Sequence, residues 1–118
     1  MDKNDVHPVI NKWLTCWETG DIDALPIVDS FCHTSPFGTI KGKQRYLEIV
    51  AKNKSDFLGN TLTVINQITE ANQVCVQFEQ KNANTGLEMV VCEWYTLQGD
   101  QIKAIRSFYN VGDAQIKG

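Results

Sequence analysis

Leu87-Glu88-Met89-Val90-Val91-Cys92-Glu93-Trp94-Tyr95-Thr96-Leu97 is the stretch on which the fold turns. β-Branched and aromatic residues crowd it, and it reads as a β-strand. Side chains of a strand alternate between two faces. One face then carries Met89, Val91, Glu93 and Tyr95, and the other carries Val90, Cys92 and Trp94. Both sets are apolar around a single carboxylate. Wherever Glu93 points, it must find a partner or take up a proton. That makes it a functional candidate, although ion-pair networks leave the same trace.

Working outward, the period of two continues. Thr61–Thr69, Gln73–Lys81 and Ile102–Asn110 read as three further strands. Gly59-Asn60, Glu70-Ala71-Asn72, Asn82–Gly86 and Gln98-Gly99-Asp100 supply turn residues beside them, so the four strands form an antiparallel meander. Upstream the period is helical. Val6, Ile10, Trp13, Leu14 and Trp17 form one apolar stripe on a helix over Asp5–Thr19, with Asn4 or Asp5 as its cap and Pro8 in its first turn. Gly20 ends that helix. Asp21 opens a short second helix to about Ser30, made irregular by Pro26. A brief strand at Cys32–Ser35 precedes a third helix over Lys43–Phe57, whose apolar side holds Tyr46, Leu47 and Val50. Helices followed by strands give an α+β class. The expected architecture is one domain over residues 1–118, with three N-terminal helices packed on a strongly curved, mostly antiparallel sheet. Together they would form a cone around an internal pocket.

Composition narrows the partners. The 118 residues carry a net charge of −3, which argues against nucleic acid or anionic membrane. Lys41, Lys43, Arg45, Lys52 and Lys54 fall around a helix as a solvated face. No stretch approaches the roughly 20 apolar residues of a membrane helix. The polar start has no secretion-signal core, so a cytoplasmic protein is expected. Cys16, Cys32, Cys75 and Cys92 read as reduced, small core residues; Cys75 and Cys92 approach each other if their strands pair. His7 and His33 lack zinc-ligand spacing, and no metal or cofactor is expected.

Specific residues resemble those of the nuclear transport factor 2-like superfamily, and within it the ketosteroid isomerases and polyketide-cyclase-like (SnoaL-like) proteins. Trp13–Leu25 resembles the family's first helix and its "GD-x-x-A-L" second helix. Ser35-Pro36-Phe37-Gly38, with Gly42 behind it, resembles the "D-P-F-G … G" loop. Glu93–Ile102 resembles the strand-turn-strand that carries the family's acid. The resemblance implies that Glu93 matches the acid that donates a hydrogen bond to a substrate oxyanion; the isomerase is a standard example of such an acid kept neutral in an apolar site. It also implies two departures. Ser35 stands where the isomerases carry their aspartate base, and a serine cannot hold a proton taken from carbon at neutral pH. Trp13 stands where they carry a tyrosine, and its indole N–H donates from a different place. The usual steroid isomerisation is therefore not expected.

The same resemblance turns Ile105, Ser107 and Tyr109 inward on the last strand, and Val76 and Phe78 on the second. Arg106 and Phe108 then point to an outer face where such proteins dimerise. The bland alternative pairs Glu93 with Arg106 or a lysine outside. His33 shares a side with Ser35 and is suited to proton transfer near neutrality. The candidate catalytic residues are thus Glu93 and His33. The candidate substrate-binding residues are Trp13, Ser35, Phe37, Val76, Phe78, Tyr95, Ser107 and Tyr109. The expectation is a homodimer binding a small apolar, oxygenated molecule, cyclic ones included. If it is an enzyme, it is a cofactor-free isomerase, dehydratase or cyclase. Non-catalytic ligand binding and a protein-interaction role are the other readings.

Overall fold

Where the chain can hold a helix decides the first half of the molecule. The computed structural model describes residues 5–110. The proposed Asn4 cap and the outer ends of the 1–118 domain lie outside those residues. Helix α1 spans Pro8–Thr19, and its start is capped by His7, whose Nδ1 accepts from the Val9 N–H at 3.2 Å. Asp5 does not cap it, and the helix begins three residues later than expected. Gly20 ends α1 at φ 84°, a left-handed conformation natural to glycine, with its N–H on the Cys16 carbonyl.

The expected second helix does not form. Only a single 3₁₀ turn, Ile22–Ala24, follows Asp21. Pro26 has no N–H to continue a helix, and Ile27-Val28 are β-formers. The Pro26 carbonyl instead accepts from the Ile102 N–H at 2.7 Å, which starts strand pairing. Strand β1 is accordingly long, Ile27–Ser35, and hairpins into the short β2, Gly38–Lys41. The expected third helix is α2, Lys43–Lys52, plus a separate single turn at Lys54–Phe57. Two helices of any length are present among the described residues, not three.

Strands β3 (Thr61–Glu70), β4 (Gln73–Asn82), β5 (Leu87–Gln98) and β6 (Gln101–Tyr109) form the meander read from the sequence. The six strands lie in the order β2-β1-β6-β5-β4-β3. All neighbours are antiparallel except β1 and β6. The sheet is open, with β2 and β3 as edges. It is neither closed nor strongly curled: β2 and β3 do not pair with each other, and α2 packs on β1 and β2 while α1 packs on β3.

One face of the sheet meets the helices. Val74, Val76 and Phe78 of β4, and Val91 and Tyr95 of β5, are buried there with Ile10, Trp13 and Leu14 of α1. On β6 both Ile102 and Ile105 are buried, although residues three apart in a regular strand face opposite ways. The pairing shifts between Leu97↔Ile102 and Thr96↔Ala104, leaving Lys103 as an extra residue. This bulge changes the phase of the strand. Ser107 and Tyr109 thereby join the inner face, while Arg106 and Phe108 go outside.

The outer face carries exposed apolar side chains. Trp94 is 48% exposed and Phe108 53%, with Val90 beside them on β5. Cys75 and Cys92 lie diagonally across β4 and β5 and are free thiols. Cys32, Cys75 and Cys92 are only half-buried, so of the four cysteines Cys16 alone fits the reading as a core residue. Among the described residues no helix is long and apolar enough to cross a membrane.

Candidate active site

Strand parity puts Glu93 on the inner face, across from Val76 on β4 and Ser107 on β6. It is 7% exposed. The pairing with Arg106 does not occur, since Arg106 lies opposite Trp94 on the other face. Three donors meet the carboxyl group instead. The Tyr95 O–H donates to Oε1 at 2.5 Å, and the Trp13 indole N–H reaches the same oxygen at 3.4 Å. The Ser107 O–H donates to Oε2 at 2.6 Å. The two strong bonds come from the sheet, one from two residues along β5 and one from directly across on β6. The long one comes from the helix. Three donors on two oxygens is the setting of an acceptor, and a carboxylate has about four acceptor positions. Oε2 takes one of these donors and Oε1 two.

Ser107 links Glu93 to a second titratable group. Its Oγ lies 3.2 Å from His33 Nε2. A hydroxyl has one proton to give. While Ser107 donates to Glu93 it must accept from His33, so His33 carries its proton on Nε2 and Nδ1 is left as the bare, basic nitrogen. The ring is also held neutral. Burial lowers its pKa below 6.5, and the nearby Glu93 charge only partly offsets this. Strand β1 delivers His33 here because it runs parallel beside β6, with His33 paired to Ile105.

These groups sit at the deep end of a cavity of about 720 Å³ between the helices and the sheet. Trp13, His33, Ser35, Phe37, Phe78, Glu93, Ser107 and Tyr109 all line it. Val76 and Tyr95 do not; both are fully buried behind the wall, and Tyr95 acts through its bond to Glu93. Phe37 is 68% exposed on the β1–β2 turn, with its ring 6.2 Å from that of Tyr109 at the rim. The Ser35 hydroxyl accepts from the Phe37 N–H at 3.2 Å and hydrogen-bonds Tyr109. It shapes the turn, which is a structural task. Trp17, which sequence reasoning assigns to the core, lines the cavity as well.

Tyr46 is the lining residue that sequence reasoning passes over. It lies 2% exposed on α2, its ring centroid 5.3 Å from His33 and 5.0 Å from Phe31. The sequence signal was present, a phenol on the helical apolar stripe, but it reads as packing. Burial first, then the charge of Glu93, drives the pKa of Tyr46 well above 10, and the same two causes act on Tyr95. Both phenols therefore stay protonated donors.

The sequence profile of the SnoaL-like domain matches residues 10–105. The chain belongs to the SnoaL-like domain family. No curated protein matches the sequence. Similar solved structures include a putative polyketide cyclase from Sinorhizobium meliloti, 12% identical, with a TM-score of 0.79 over 92% of this chain and 100% of that one. An NTF2-like protein of unknown function from Cytophaga hutchinsonii is 18% identical, with a TM-score of 0.73 over 93% and 91% of the two chains. An LEH-like epoxide hydrolase of M. tuberculosis is 14% identical, with a TM-score of 0.75 over 87% and 80%. At these identities the likeness is one of fold. This SnoaL-like chain carries an acid on the inner face of its sheet, with Tyr95, Ser107 and Trp13 around it.

The coupling of His33 to Glu93 is measurable. In the folded protein His33 is expected to titrate below 6.5, and Glu93→Gln to lower it further by removing the charge that favours the imidazolium. The unfolded chain then binds more protons than the folded one between the lowered value and 6.5. Stability is expected to fall as the pH drops through that window, and over a wider range in E93Q. Histidine Cε1–H chemical shifts followed against pH check this. A His33 value that rises in E93Q would contradict the geometry.

Proposed function

We propose that this protein binds an apolar, oxygenated small molecule in the cavity and moves a proton on it, as a cofactor-free isomerase, dehydratase or cyclase would. The observation that carries this reading is the chain Glu93–Ser107–His33 at the deep end of an aromatic cavity. Two proton-accepting groups joined through one hydroxyl offer a place to put a proton and a route for its return. The aromatic and aliphatic walls offer area for a flat or cyclic apolar body.

The roles differ from those the family resemblance implies. With three donors upon it, Glu93 serves as the base, and so fills the place that Ser35 leaves vacant. Its Oε2 oxygen receives a proton from the carbon next to a carbonyl. The C–H electron pair becomes a carbon–carbon double bond, and the carbonyl electrons move to oxygen. The protonated Glu93 then returns that proton to another carbon or to a leaving hydroxyl, and His33 Nδ1, the bare nitrogen, is the second position that accepts one. Trp13 and Tyr95 hold Glu93 in place, and Phe37 and Tyr109 stand at the rim.

The test uses 2-tetralone, a flat enolisable ketone, in D₂O. Wild-type protein is expected to accelerate exchange of its α-protons, and E93Q to lose a factor on the order of 10²–10⁴. Equal rates with and without protein would reduce the reading to ligand binding.

The outer face supports a second proposal, a homodimer. Trp94 and Phe108 flank Arg106 on an open apolar surface, larger exposed patches of this kind mark association sites, and a two-fold dimer can bury one patch against itself. The chain is expected to sediment at twice its 13.3 kDa, and a Trp94→Lys, Phe108→Lys double variant as a single chain. A monomeric wild type at tens of micromolar would end this proposal.

A further inference from the structure

We propose that the cavity takes a protonated amine on a largely apolar body, with the ammonium group paired to Glu93 and lying against the aromatic wall. This deepens the functional reading above: it rests on Glu93 being an ionised acceptor and not on the transfer of a proton.

An unbalanced charge carries the inference. Glu93 is 7% exposed, and its partners Trp13, Tyr95 and Ser107 are all neutral donors. Neutral donors replace the hydrogen bonds that water would make, but they leave the negative charge in place. The one ion pair among the described residues joins Lys81 to Glu79, on the other face of β4. Among those residues, the side chains lining the cavity include no lysine, no arginine and no second acid. His33 is the lining group able to balance the charge from within, and burial holds it neutral against the pull of Glu93. The cavity therefore carries a negative charge that the described residues do not neutralise.

The walls suit a cation as well. Trp13, which hydrogen-bonds Glu93, packs on Trp17 at 5.3 Å and on Tyr46 at 6.4 Å. His33 lies 5.3 Å from Tyr46, and Phe57 stacks on Trp17 at 5.8 Å. All of these rings line the cavity. An aromatic face attracts a cation within about 6 Å of its centroid, and its area covers the apolar part of the same molecule. An ammonium group gains from the rings and from the carboxylate together. A carboxylate or phosphate ligand is repelled by Glu93 and finds no counter-ion. Charge thus sorts ligands at this site, cation before neutral molecule and neutral molecule before anion. The net charge of −3 on the whole chain acts in the same direction at longer range. The substrate class becomes an amine-bearing molecule, in which the carbonyl of the acid/base reading is a separate function.

Three probes of one shape separate the classes: 2-aminotetralin, protonated at neutral pH, 2-tetralol and tetralin-2-carboxylate. Binding is followed by ligand-observed NMR at low salt. Wild type is expected to bind the amine about tenfold or more tighter than the alcohol, and the alcohol tighter than the carboxylate. E93Q is expected to bind amine and alcohol alike. A second readout needs no variant. An ammonium beside Glu93 cancels the charge that favours the imidazolium, so saturating 2-aminotetralin is expected to move the His33 titration further below 6.5 than 2-tetralol does. An amine that binds no better than the alcohol would overturn the inference. So would a preference for the amine that persists in E93Q, or a His33 titration that the bound amine leaves where the alcohol does. Proton exchange on 2-tetralone separates the two readings. Amine preference without exchange keeps the ammonium site and overturns the acid/base reading; exchange without amine preference does the reverse.

Discussion

A carboxylate among aromatic and aliphatic side chains is costly unless donors surround it, and the architecture of this protein meets that constraint at Glu93. The sheet supplies Tyr95 from two residues along the same strand and Ser107 from directly across the ladder. The helix supplies Trp13 from above. None of these bonds exists unless β5, β6 and α1 are assembled in register. The carboxylate is therefore satisfied only by the complete fold.

The site is built from two strands that are far apart in sequence. His33 comes from β1 and Ser107 from β6, joined by the parallel pairing that begins at Pro26 and Ile102. The Lys103 bulge decides which of the β6 side chains look inward. A strand without it would turn Arg106 and Phe108 to the cavity and Ser107 outside. The hydrogen-bonded link from Glu93 through Ser107 to His33 thus depends on a single extra residue in a turn-proximal position, well away from Glu93 itself.

Much of this was legible in the sequence, for physical reasons that can be named. The meander was readable because side chains that alternate between a core and solvent write their period into the chain, and the boundaries of β3 to β6 follow it closely. The inward direction of Glu93 was carried by the resemblance, since both faces of its strand are apolar and parity alone leaves the choice open. The expected second helix does not form because, against the helical spacing of Asp21, Leu25 and Val28, Pro26 and the β-branched pair Ile27-Val28 pull the other way and win through pairing with β6. Strand β2 leaves no signal in the sequence because four residues beginning at Gly38 hold no period. Tyr46 was legible as buried but not as functional. What distinguishes it is its place on the cavity beside His33, and that is a property of the assembled neighbourhood, not of the helix stripe. Tyr95 and Val76 show the converse, since parity places the one inward and the resemblance the other, but neither says how deep.

The state of Glu93 is where these strands of reasoning meet. The most direct measurement is an infrared difference spectrum at neutral pH between wild type and E93Q, with the carboxyl carbon labelled. The expected result is a carboxylate stretching band that vanishes in E93Q, shifted by its hydrogen bonds. A carbonyl band of a protonated acid in its place would contradict the assignment of Glu93 as an acceptor and base, and would return it to the donor role its family resemblance implies.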